Sequence, residues 1–181
     1  YLNDLSEQFS ATNLGVSLSY ENDENLTMDT THFKVSNLLY ADDIVLLAES
    51  ENDIQQMLHV VYTWCKKWRM EVNLSKTNIL HIRKKNQRRS QFIFKLGLQT
   101  VKYCEEYKYL GITLNEHVDY NFSTHILAES GGRALSSIIT KMIKNGGFPL
   151  NVYKILFHSS VCSVTDYGGE VWGYKDYDAI K

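Results

Sequence analysis

The chain has 181 residues, 44% of them hydrophobic, with one proline, a formal net charge of −2 and a pI near 6.3. That composition excludes a disordered chain and allows a buried core in one domain or two small units. No apolar run reaches the roughly 18 residues that a membrane-spanning helix needs. The polar start Tyr1-Leu2-Asn3-Asp4 is not a signal peptide, and a start without methionine suggests a fragment.

The small net charge hides a division along the chain. Residues 1–65 hold one basic and eleven acidic side chains, whereas 66–102 hold eleven basic ones and a single acid, Glu71. A local excess of +10 over 37 residues is the kind of stripe that binds phosphate backbones, although a solvated loop has the same composition. Cys65, Cys104 and Cys162 are odd in number and form no Cys-x-x-Cys pair, so they read as reduced core thiols of an intracellular protein.

In chain order, residues 1–13 read as the end of a helix, and Leu14 to Leu18 alternates as a strand does. Glu21-Asn22-Asp23-Glu24-Asn25 reads as a solvated acidic loop without the spacing of a calcium loop. Next comes Leu38-Leu39-Tyr40-Ala41-Asp42-Asp43-Ile44-Val45-Leu46-Leu47, in which two adjacent carboxylates interrupt an apolar run. Ionised carboxylates within buried sequence need a partner or a metal. A hairpin with strands Phe33–Tyr40 and Ile44–Ala48 resolves the conflict by lifting Asp42 and Asp43 to a sheet rim. A tight turn in which the aspartates bond their own backbone is the plainer reading.

Ser50-Glu51-Asn52-Asp53 reads as a capped helix start. Ile54, Met57, Leu58, Val61, Cys65 and Trp68 then follow on one stripe, which is expected to pack across the sheet bearing the aspartates. Ile79 to Ile82 reads as a strand, and Phe92 to Tyr103 as a hairpin turning near Gly97. Tyr107 to Leu114 reads as one strand with a glycine bulge. From Ser123 onward the period is helical, with a kink or break at Gly131-Gly132, an end at Gly146-Gly147 and a new helix near Pro149 that turns Val152, Ile155, Leu156 and Ser159 one way.

Four segments in order carry a resemblance. Tyr40-Ala41-Asp42-Asp43 between two strands resembles motif C of reverse transcriptases, and Asn73-x-x-Lys76-Thr77 resembles motif D. Tyr107-Lys108-Tyr109-Leu110-Gly111-Ile112 resembles motif E, the primer grip, and Tyr167-Gly168-Gly169-Glu170-Val171-Trp172 resembles a segment beyond the palm. Together they resemble the later palm and the thumb of a non-LTR retrotransposon (LINE-type) reverse transcriptase, an RNA-directed DNA polymerase.

The resemblance implies an α+β fold, with an antiparallel palm-type sheet packed by helices over residues 1–118 and a small helical thumb over 119–181. It implies two-metal nucleotidyl transfer with Mg2+ held by Asp42 and Asp43, and Lys76 at the leaving pyrophosphate on the strand after the long helix. Tyr40 and Ala41 would sit beneath the primer end, and Tyr109, Leu110 and Gly111 would hold the primer strand. Lys66, Lys67, Arg83, Lys84, Lys85, Arg88 and Arg89 would meet the phosphates of an RNA template and DNA primer. The motif A aspartate and the glycine-rich motif B precede motif C in that family, and neither is found here. The chain is therefore expected to be inactive alone and to need the upstream fingers and palm of its own polyprotein, in the nucleus by the same resemblance. A catalytically dead remnant or adapted domain that binds nucleic acid is the alternative.

Overall fold

A computed structural model of the chain describes residues 2–21 and 30–180. They form a mixture of helices and short two-stranded sheets distributed over two compact units, Tyr1–Ile79 with Ser90–Lys102 and Leu80–Arg89 with Tyr103–Lys181. The acidic loop expected at Glu21–Asn25 lies, apart from Glu21, outside the described residues.

In the first unit, helix α1 (Leu2–Thr12) contributes the fully buried Leu5 and Phe9. Strands β1 (Val16–Glu21) and β2 (Thr30–Val35) are antiparallel, with Leu18 opposite Phe33. The apolar run then breaks at Ser36, so the expected strand Phe33–Tyr40 is divided between β2 and β3 (Asn37–Tyr40). Strand β3 pairs with β4 (Asp43–Leu46), Tyr40 facing Asp43.

Helix α2 (Glu51–Trp68) starts where the sequence places it, with the Ser50 hydroxyl accepting from the Asp53 amide at 3.2 Å. Its buried face is Met57, Leu58, Val61, Trp64 and Cys65. This face packs chiefly on α1 and on β6 (Lys95–Leu96) rather than across the aspartate hairpin. Trp68, expected in the stripe, is 37% exposed and donates its indole N–H to Asp4 at 3.0 Å, next to the C-cap Arg69 with φ 55°. Strand β5 (Asn78–Leu80) follows, and Gly97 (φ 64°) and the exposed Leu98 link β6 to β7 (Gln99–Thr100). A Cβ at Gly97 would lie 2.4 Å from the Tyr62 ring, so only glycine serves there.

Strand β8 spans Lys102–Cys104. Tyr107–Leu114 is two strands and not one: β9 (Glu106–Tyr109) and β10 (Ile112–Asn115) form an antiparallel hairpin across Leu110-Gly111. Both turn residues have positive φ, 45° and 87°, the condition for a type I′ turn. Helix α3 (Asn121–Lys144) runs through Gly131-Gly132 without a break. Gly131 is a packing site: a Cβ there would lie 2.6 Å from Thr165 Cγ2.

Helix α4 (Leu150–Phe157), with Pro149 as its N-cap residue, continues through a π-helical turn His158–Cys162 into α5 (Ser163–Thr165). Along it Val152 and Leu156 are half-buried and Val161 is buried, but Ile155 and Ser159 are exposed. Helix α6 (Gly169–Trp172) closes the unit, placing Trp172 in a buried cluster with Tyr120 and Tyr177. None of the three cysteines is in a disulfide, though only Cys65 is buried, and its burial pushes the thiol pKa up.

Gly131→Ala is expected to destabilise the chain by about 1–3 kcal/mol through overpacking against Thr165. Thr165 is stiff at χ1 and its hydroxyl faces the Val161 and Cys162 carbonyls at 3.3 Å. Gly132→Ala, where a Cβ meets nothing within 4 Å, is the control. Thermal melts of the two variants check this.

Candidate active site

The acidic hairpin is built as a two-residue connection. Ala41 and Asp42 occupy the turn, Ala41 with φ 51°, and Asp43 opens β4. A positive φ is disfavoured for any residue with a Cβ, and a methyl side chain is the smallest that can occupy it after glycine. The strand flanks Leu39, Ile44, Val45 and Leu46 are half-buried, while Tyr40 (61%), Ala41, Asp42 and Asp43 are exposed. The apolar run and its two charges are thus reconciled as the hairpin reading expects, with the carboxylates at the tip and one face of the strands half-buried, although Leu38 on the other face is 44% exposed.

Neither aspartate forms an ion pair with a described residue. Two adjacent, solvent-facing carboxylates are hard oxygen donors of the kind magnesium takes, with coordination positions left for water and phosphate. Among the described residues, no group of three or more His, Cys, Asp or Glu side chains is arranged to hold a metal ion. The donor set therefore fits part of a metal site and not a closed protein cage.

Lys76 is not on a strand. It lies in the turn before β5, organised by Asn73: the Asn73 side-chain oxygen accepts from the Ser75 amide (3.1 Å) and hydroxyl (2.7 Å), and its carbonyl accepts from the Lys76 amide (3.1 Å) and the Thr77 hydroxyl (2.9 Å). This explains the asparagine three residues ahead of the lysine, since Asx turns are a local alternative to continued strand. The Lys76 side chain is exposed. It shares the first unit with Asp42 and Asp43, but β5 is not in their ladder.

In the second unit, Tyr109, Leu110 and Gly111 come together at the β9–β10 turn. The Leu110 carbonyl accepts the Tyr167 hydroxyl at 2.6 Å. The basic tract divides. Lys66 and Lys67 are exposed at the end of α2, with Lys67 3.6 Å from Asp4. Lys84, Lys85 and Arg88 are exposed, with Lys85 3.7 Å from Asp119. At that distance and exposure such a pair contributes little.

Arg83 and Arg89 are a different case. Both guanidiniums converge on Glu116, Arg83 at 2.6 Å and Arg89 at 2.5 Å, and the carboxylate is only 11% exposed. Arg89 and the other cations around Glu116 hold its carboxyl below the ordinary glutamate range, against the opposing effect of burial. The Arg83 amide also donates to the Glu116 carbonyl at 2.8 Å, and the Arg83 carbonyl lies 3.0 Å from His117 Nδ1. These two arginines brace their own unit, with the Arg83 side chain 12% and that of Arg89 29% exposed. Nothing in the sequence marks Glu116 as their partner, since it lies 33 and 27 residues further along the chain.

Similarity to known proteins bears on these segments. A transposon-derived protein of Caenorhabditis elegans, itself uncharacterized, is 29% identical over 143 residues, which are 78% of this chain and 50% of the relative. The chain thus spans about half the length of the curated relative it matches. No solved structure matches it. The profile of the reverse transcriptase (RNA-dependent DNA polymerase) family matches residues 2–114, a span that includes the acidic hairpin, the Asn73 turn and the β9–β10 hairpin. Over most of its length, therefore, this chain belongs to the reverse transcriptase (RNA-dependent DNA polymerase) family.

Proposed function

We propose that the chain is the later palm (1–118) and thumb (119–181) of a LINE-type, non-LTR retrotransposon reverse transcriptase. Within its complete polymerase it would take part in magnesium-dependent DNA synthesis on an RNA template. The observation that carries this reading is the pair of exposed carboxylates, Asp42 and Asp43, at a hairpin tip inside the family-matching span. The transposon-derived relative supports the retrotransposon origin. The palm–thumb division follows the motifs. The compact units follow packing, which joins the β9–β10 hairpin to the C-terminal helices.

Asp42 is the principal metal ligand from this hairpin and Asp43 the supporting acid. Magnesium held there would neutralise charge on the oxygens of the phosphate under attack. Ala41 leaves room beside the primer end, and Tyr40 offers its exposed ring to it. Lys76 holds a proton at Nζ for the departing pyrophosphate, a general-acid role. Tyr109, Leu110 and Gly111 hold the primer strand. Lys66, Lys67, Lys84, Lys85 and Arg88 meet template and primer phosphates without reading sequence. The upstream fingers and palm segment of the same polyprotein supplies the further aspartate, and the work is nuclear. No helix of the described residues is long and apolar enough to cross a membrane.

A second reading, a nucleic-acid-binding domain without catalysis, is favoured by the absence, among the described residues, of a third carboxylate grouped with Asp42 and Asp43. Primer extension separates the two readings. With its upstream segment the polymerase extends a DNA primer on RNA in magnesium, whereas the 181-residue chain binds the duplex and does not extend it. Extension by the chain alone would overturn the missing-ligand argument. Absence of extension by the whole would leave only binding.

Binding itself is expected to weaken with salt. Replacing Lys84, Lys85 or Arg88 by glutamine should each reduce the slope of log affinity against log salt by about 1. A titration series in potassium chloride checks this.

A further inference from the structure

The turn of the β9–β10 hairpin is held in a backbone form that its own sequence disfavours. Leu110 has φ 45°, a region that a branched apolar side chain seldom adopts, and it is followed by Gly111 at φ 87°. An Asn-Gly pair would take this turn unaided, but Leu-Gly needs outside support. The support comes from the far end of the chain. The Tyr167 hydroxyl donates to the Leu110 carbonyl at 2.6 Å, and its ring fills the space above Gly111, where a Cβ would lie 2.8 Å from Tyr167 Cε1.

Tyr167 is itself fixed from behind. Gly168 has φ 68° and sits so close to Ile112 that a Cβ there would be 2.2 Å from Ile112 Cδ1. The Trp172 indole N–H donates to the Tyr167 carbonyl at 2.9 Å, and the Trp172 ring is buried with Tyr120 and Tyr177. Tyr, Gly and Trp of the segment 167–172 therefore form one brace, whose working end is a hydroxyl on a surface turn. Tyr167 is 49% exposed, so burial of its ring explains little of its placement.

We propose that Tyr167 is a positioning residue that locks the Leu110–Gly111 turn in the shape presented to the primer strand. The primer role rests on the reading of this hairpin given above, and the lock does not. The test uses the 181-residue chain. In Tyr167→Phe, amide hydrogen exchange over residues 109–112 is expected to accelerate about tenfold, with exchange in α2 and the melting temperature unchanged. Affinity for a DNA primer annealed to an RNA template is expected to fall about fivefold, the worth of one ordinary hydrogen bond. The salt slope should stay the same, because no phosphate contact is lost. Adding Leu110→Asn to Tyr167→Phe is expected to restore slow exchange, since Asn-Gly favours the turn by itself.

Unchanged turn exchange in Tyr167→Phe, or no rescue by Leu110→Asn, overturns the lock. Faster exchange with unchanged affinity overturns its link to the primer. A wild-type chain that does not bind the duplex overturns the primer reading, while the exchange measurements still decide the lock.

Discussion

Asp42→Ala, made in the complete polymerase, is expected to reduce primer extension by about 10³-fold or more, with duplex binding and thermal stability nearly unchanged. The size follows from the proposed role: a carboxylate that holds the metal would support several kcal/mol of transition-state charge stabilisation. The lack of a stability effect follows from the structure. Asp42 is exposed at a hairpin tip and has no ion pair with a described residue, and substitutions at such surface positions usually change stability by no more than about 0.5 kcal/mol. Single-turnover extension in magnesium, with a melt of the same preparation, checks both halves. A large drop in melting temperature would show that the carboxylate serves the fold instead.

The opposite pattern is expected at Glu116. Glu116→Gln leaves the guanidiniums of Arg83 and Arg89 facing a neutral amide, with the Arg83 side chain only 12% exposed. Removing one partner of a buried ion pair is strongly destabilising, because the remaining charge keeps its desolvation cost without compensation. The melting temperature is expected to fall by on the order of 10 °C.

The same network sets an acid limit. The folded-state pKa of Glu116 lies below its ordinary value of 4.5. Its stabilisation is therefore complete above that value and is lost as pH falls through the lowered one. Asp119, held below 3.8 chiefly by the Asn121 amide, acts in the same direction at lower pH. Melts between pH 7 and 3 should show wild-type stability declining below about 4.5, and Glu116→Gln should flatten the upper part of that decline.

What was legible in the sequence was whatever depends on neighbours in the chain. The Ser50 cap, most of the apolar face of α2, the aspartate hairpin and the end of α3 at its double glycine all arise from contacts within a few residues. What was hidden depends on distant partners. Gly131 looks like a helix breaker until Thr165 is seen beside it. Leu110-Gly111 looks like a bulge until its two positive φ angles close a hairpin. Arg83 and Arg89 look like part of an open basic stretch until Glu116 arrives from 33 and 27 residues away. At the site, the two carboxylates could be read because charge inside an apolar run is conspicuous. The placement of Lys76 could not, since a short Asx turn and a strand start look alike in so few residues.

The route of the backbone between the two units has a practical result. Leu80–Arg89 leaves the first unit to join the second, and Ser90–Lys102 goes back. Neither unit can be excised as an uninterrupted peptide. Trimming after Lys102 would keep Arg83 and Arg89 while discarding the glutamate that neutralises them, and expressing 103–181 would do the reverse. A protease that nicks the exposed Lys84–Arg88 segment should therefore leave two fragments that stay associated through Glu116 until acid or denaturant separates them.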